Sequence, residues 1–118
     1  MNKNIALKEA LIKCITLCEE IGAWSDNGDP MITPIEGEYF RDCADYCTLG
    51  LRLTIRSRLS TPLLEAIQGI IKICYDYCDS SSKDEDFTME KTELIEYAKS
   101  FRHIMKVVQR FSTNNKEQ

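Results

Sequence analysis

Apolar positions recur along most of this chain every three or four residues, the period of one helical face. Over about residues 4–22, Leu7, Leu11, Cys14, Cys18 and Ile21 share one stripe, while Lys8, Lys13, Glu19 and Glu20 lie off it. Gly22 reads as a helix stop, and the breaker-rich Ala23 to Pro30 as a loop that lays Trp24 over the helix ends. Thr33-Pro34-Ile35-Glu36 has the form of a capping box and opens a second helix, about 34–59. Its inward positions are Phe40, Cys43, Cys47, Gly50, Leu51 and Thr54, with Arg41, Asp45, Arg52 and Arg56 outward. Thr61-Pro62 opens a third, about 62–79, with a wide apolar face of Leu63, Leu64, Ile67, Ile70, Ile71, Cys74 and Cys78. Ser80 to Asp86 reads as a polar loop. A fourth helix, about 87–111, turns Leu94, Tyr97, Phe101, Ile104, Met105 and Val108 inward, and 112–118 is a frayed tail. No stretch alternates as a strand would. The pattern predicts an all-α fold: one domain over 1–118, an antiparallel up-down-up-down four-helix bundle.

Within that pattern the cysteines stand out. All six occur as Cys-x-x-x-Cys pairs: Cys14/Cys18, Cys43/Cys47 and Cys74/Cys78. On a helix this spacing stacks two thiols on one face, about 6 Å apart along the axis. The first pair lies toward the end of its helix, the second toward the start of the next, and the third at the end of the third. Antiparallel neighbours therefore bring all three pairs to one end of the core. Leu7, Leu11, Leu51, Ile67, Ile70, Ile104 and Val108 fill the other end. One such pair would be ordinary core packing, because cysteine is small and often buried. Three pairs of one spacing meeting at one end point instead to metal or redox chemistry.

Composition narrows the field. With 118 residues the chain holds one core and not two. A net charge of −4 and a pI near 5.0 exclude binding to a nucleic-acid backbone, which needs a basic patch. No run of 18 apolar residues exists to span a membrane. The N-terminal residues go straight into a charged amphipathic pattern with no apolar signal core, so the expected compartment is the cytoplasm. Thiols stay reduced there, and clustered cysteines mean metal or redox chemistry more often than disulfides. The chain offers no nucleophile beside a histidine base, no glycine-rich phosphate loop and no Glu-x-x-His signature, so an enzyme is not expected.

The donor set then ranks the metals. Thiolates without imidazole nearby suit Cu(I), zinc or iron–sulfur clusters. Structural zinc sites favour turn-borne knuckles with four ligands. Pairs borne on helices suit low-coordinate, thiolate-bridged Cu(I) better, which puts copper first, zinc second and iron–sulfur third. His103, the single histidine, falls about 120° from Tyr97 on the helical wheel and faces outward. Met89 stands at the start of the fourth helix beside the thiol end, where its thioether is a candidate for passing copper inward. Tyr39, Tyr46, Tyr75 and Tyr77 read as packing around the cysteines, with hydroxyls at the rim.

The segments Cys43-Ala-Asp-Tyr-Cys47 and Ile73-Cys-Tyr-Asp-Tyr-Cys78 resemble the cysteine-rich four-helix-bundle copper storage proteins, over about Leu11 to Arg110. The resemblance implies that Cys14, Cys18, Cys43, Cys47, Cys74 and Cys78 are Cu(I) thiolate ligands. This chain would be a cysteine-poor member: members usually carry more cysteines, some on the last helix, where Tyr97, Phe101, Ile104 and Val108 stand instead. The implied function is Cu(I) storage or buffering. Two alternatives come from other classes. One is a thiol redox protein, which needs an exposed, low-pKa thiol. The other is a helical interaction or assembly module with buried structural cysteines and no metal. Leu49, Leu53, Ile55 and Ile73 lie off the core stripes and offer a seam for pairing with a second copy.

Overall fold

A computed structural model of the chain describes residues 2–26, 34–56, 58–83 and 91–116. Among the described residues there are four α-helices and no strand: α1 (Asn2–Asp26), α2 (Pro34–Ile55), α3 (Thr61–Lys83) and α4 (Lys91–Lys116). Each of α1 and α3 lies against both α2 and α4, so the four helices close around one core in a body of 47 × 23 × 20 Å.

The inward stripes are the ones that the spacing dictates. Leu7, Leu11, Cys14, Cys18 and Ile21 on α1 are buried, as are Phe40, Cys43, Cys47 and Thr54 on α2. On α3 the buried residues are Leu64, Ile67, Ile71, Cys74, Cys78 and Ser81, and on α4 they are Leu94, Ala98, Phe101, Ile104 and Val108. Leu51, Leu63, Ile70, Tyr97 and Met105 are half-buried at the edges of these stripes. Thr54 is admitted to the core because its hydroxyl donates to the Gly50 carbonyl at 2.7 Å, so its buried oxygen is paired. Gly50 itself marks a close approach. A methyl there would stand 2.6 Å from Ile67 Cδ1 and 3.6 Å from Leu11 Cδ1, so α1, α2 and α3 meet where one side chain is missing.

The helix ends differ from the sequence expectation at five places. α1 runs through Gly22 to Asp26, and Gly22 is buried inside the helix. A glycine in a helix costs about 1 kcal/mol relative to alanine, but packing against α2 holds the turn, and a Cβ there would stand 3.6 Å from Arg41 Cγ. α2 ends at Ile55 rather than near residue 59, closed by a 2.7 Å bond from the Arg58 N–H to the Leu53 carbonyl. Ser60, not Thr61, caps α3: its hydroxyl accepts the Leu63 N–H at 3.3 Å, which leaves Pro62 inside the first turn where it is tolerated. The serine run is helical up to Lys83 and not a loop. The Ser82 hydroxyl satisfies the Asp79 carbonyl at 2.7 Å, and Lys83 pairs with Asp79 at 3.1 Å one turn earlier. At the far end α4 continues to Lys116, past the expected tail at 112. The Trp24 side chain, Thr33 of the expected capping box, and residues 84–90 with Met89 lie outside the described residues.

Several large apolar side chains face outward. Ile5, Ile12, Leu49, Ile55, Ile73 and Ile95 are exposed, three of them at the positions read as an association seam. No helix among the described residues is long and apolar enough to cross a membrane.

Candidate metal centre

The six cysteines are all completely buried, and none is in a disulfide. Three of them form the tightest group. The Sγ atoms of Cys14, Cys18 and Cys43 lie within 4.8 Å of one another, with Cys14 and Cys43 in contact at 3.6 Å across α1 and α2. The other three adjoin this group. Cys47 interacts with Cys14 and Cys43, and Cys74 with Cys18 and Cys43. Cys78, one turn further along α3, feels the charge of Cys74. The thiols of three helices thus form one continuous group inside the core. Phe40, one turn before Cys43, and Ile21, one turn beyond Cys18, are also fully buried. Phe40 stands edge-on to Tyr77 at 5.5 Å and tilted toward Phe101 at 6.2 Å.

Dimensions decide what such a group can hold. Around an ion with metal–sulfur bonds of about 2.3 Å, two sulfurs in line stand about 4.6 Å apart and three in a plane about 4 Å apart. The Cys14–Cys18–Cys43 triad, with one pair at 3.6 Å and all three within 4.8 Å, needs only small shifts to reach those spacings. A tetrahedral ion would need a fourth sulfur from outside the triad.

Burial governs the thiols' acidity, modified by their neighbours. The Cys18 thiol is pushed up by contact with Cys14, Cys43 and Cys74 and by burial. Contact with Cys14 is the main cause that raises Cys43. At Cys14 the neighbours Cys18 and Cys43 pull down, but Cys47 and burial outweigh them. Against the pull of Cys14, Cys47 is raised by Cys43 and by burial. Burial alone is the leading cause at Cys78, which is pushed up to about 12. Cys74 goes the other way, because the thiols of Cys18 and Cys43 donate to its sulfur. The cluster is therefore mostly protonated when metal-free, and a thiolate formed inside it is stabilised by its S–H neighbours.

A pH dependence follows. Between the ordinary thiol value near 9 and about 12 the unfolded chain releases protons that Cys78 retains in the fold. Tyr97, pushed up to about 12 by burial and then by Glu20, acts in the same direction from its ordinary value near 10. Cys74 has the opposite sign, adding stability as pH rises toward 9 and nothing further above it. Stability of the reduced, metal-free chain should rise toward about pH 9 and fall from there to about pH 12. Urea unfolding in the presence of reductant, repeated from pH 7 to 11, checks this; a stability that rises above pH 9 would contradict it.

The remaining expected positions fall as follows. His103 is exposed on α4. Tyr39 and Tyr46 are exposed, while Tyr75 and Tyr77 are half-buried against the core. The Tyr97 hydroxyl reaches Glu20 on α1 at 3.2 Å, a link between α4 and α1 that the apolar pattern does not reveal. Nor does it reveal that the closest sulfurs come from α1 and α2 alone. That depends on the register between helices, for which a helical wheel carries no signal.

The copper storage protein family matches residues 1–109. The chain belongs to the copper storage protein family. No curated protein and no solved structure matches it. For a copper storage protein the buried cysteine group is the feature with the matching chemistry: a sulfur-only donor set, large enough for a metal ion, in a core with no competing imidazole.

Proposed function

We propose that this chain stores or buffers copper as Cu(I), bound by the thiolates of Cys14, Cys18, Cys43, Cys47, Cys74 and Cys78 at one end of the bundle core. The observation that carries the proposal is the triad of Cys14, Cys18 and Cys43, whose sulfurs lie within 4.8 Å of one another in complete burial. The bundle is antiparallel, up-down-up-down. In support, Leu11 lies by Gly50, Cys14 by Cys43 and Gly22 by Arg41, so α2 numbers fall as α1 numbers rise. Likewise Gly50 lies by Ile67 and Phe40 by Tyr77, as α2 passes α3. On that topology the three Cys-x-x-x-Cys pairs gather at one end.

Charge argues for a monovalent ion with shared sulfurs. Two thiolates on one Cu(I) leave a net negative charge buried in the core, which is costly. Letting each thiolate bridge two ions removes that charge. Zinc is the second choice, since a divalent ion at full coordination would need four thiolates drawn from three helices. A thiol redox role fits less well, because it needs an accessible thiol and all six are fully buried. The role is one of holding copper rather than catalysis, in a reducing cytoplasm that keeps these thiols able to bind.

X-ray absorption at the copper edge of the loaded protein tests the donor set. We expect a shell of sulfur scatterers only, at a distance typical of two- or three-coordinate Cu(I). The spectrum should be unchanged by His103→Ala. A nitrogen or oxygen shell would contradict the six-thiolate site.

A further inference from the structure

We propose that copper reaches the core through the side of the bundle, along a groove between α1 and α2 whose inner wall includes Cys18. This rests on the storage reading above. The groove has a volume of about 400 Å³ and is lined by Cys18, Glu19 and Gly22 on α1 and by Arg41, Ala44 and Asp45 on α2.

Its construction suits the passage of a cation to a buried thiol. The wall over Cys18 is thin, because Gly22 has no side chain and Ala44 has only a methyl. Cys18 has no exposed surface, so something must shift to open the way. The side chain placed to do so is Arg41, which is exposed and whose Cγ lies 3.6 Å from where a Gly22 Cβ would stand. The outer rim carries two exposed carboxylates, Glu19 and Asp45, which draw a cation toward the groove. Once on Cys18 the ion is already beside its next ligands, since the Cys14 and Cys43 sulfurs lie within 4.8 Å. Among the groove's lining residues Cys18 is the one thiol, and it belongs to the triad.

The chemistry is ligand exchange without redox change. With acetonitrile-bound Cu(I) as donor, a Cu–N bond breaks and a Cu–Sγ bond to Cys18 forms. The Cys18 proton passes to buffer, acetonitrile leaves, and copper remains Cu(I). A second exchange moves the ion onto Cys14 and Cys43, whose protons leave in the same way.

Stopped-flow mixing of the reduced protein with acetonitrile-bound Cu(I), followed by the ultraviolet copper–thiolate absorption, reads the rate of loading. Copper counted at equilibrium reads capacity. Gly22→Leu fills the groove and should slow loading several-fold while leaving the final copper count unchanged. Gly69→Leu, on α3 where nothing lies within 4 Å, should load at the wild-type rate. The double variant Glu19→Lys/Asp45→Lys should slow loading about tenfold at low ionic strength, with the difference shrinking as salt is added. Both of its side chains are exposed, so this arm stays readable if Gly22→Leu fails to fold. Wild-type rates in the charge-reversed protein and in a folded Gly22→Leu would overturn the side route. A wild-type chain that takes up no copper at all would instead overturn the storage reading.

Discussion

Serine in place of Cys43 should cost the protein more copper than serine in place of Cys78. Cys43 is the hub of the sulfur group: it belongs to the triad with Cys14 and Cys18 and also interacts with Cys47 and Cys74. Cys78 stands at the margin beside Cys74. Thiolates that bridge ions are shared, so removing the hub unsettles every ion it touches. Loss of a group that merely orients a metal ligand costs about 10- to 100-fold in affinity; loss of a shared ligand should cost more. Cys43→Ser should therefore release most of the copper to a competing chelator, and Cys78→Ser only about its own share. The substitution is mild for the fold, because a serine hydroxyl inside a helix can donate one turn back, as Thr48 does to the Ala44 carbonyl at 2.8 Å. Equal losses from the two variants would show that the sulfurs bind independently.

Truncation in the aliphatic part of the core should have the opposite profile. Leu11 and Ile67 are completely buried and meet around Gly50. Leu11→Ala or Ile67→Ala should lower stability by about 2–5 kcal/mol, the lost transfer energy plus the cavity left behind. Neither residue lies in the sulfur group, so copper bound per folded chain should stay at the wild-type value. Chemical denaturation of the metal-free protein measures the first effect, and copper counting on the folded fraction measures the second. A truncation that removed copper without loss of stability would mean that the thiol site reaches into the aliphatic region.

The sequence carried much of this fold because its signals agreed. Periodicity placed Leu7, Leu11, Cys14, Cys18 and Ile21 on one stripe, and all five are buried. It likewise separated His103 from the core, since a wheel reads direction well. The helix ends were less legible, because local signals there compete with packing. Gly22 looks like a terminator, yet it sits inside α1 where Arg41 crosses. Ser80, Ser81 and Ser82 look like a loop, yet Ser81 is buried and Ser82 bonds back to Asp79, so the serines extend α3. At the site, the spacing of four gave the three pairs but not their mutual distances. The contact of Cys14 with Cys43 at 3.6 Å arises from the register of α1 on α2, which is set by interlocking side chains along both helices.

Anaerobic titration of the fully reduced chain with Cu(I) against a chromophoric chelator tests the central claim most directly. Six thiols taken two to an ion hold three ions, and bridging sulfurs hold more. The account predicts that the chain withholds at least about three Cu(I) from the chelator, in a tight phase that disappears when the six cysteines are replaced by serine. A chelator that takes every ion, with wild-type and cysteine-free chains alike, would contradict it.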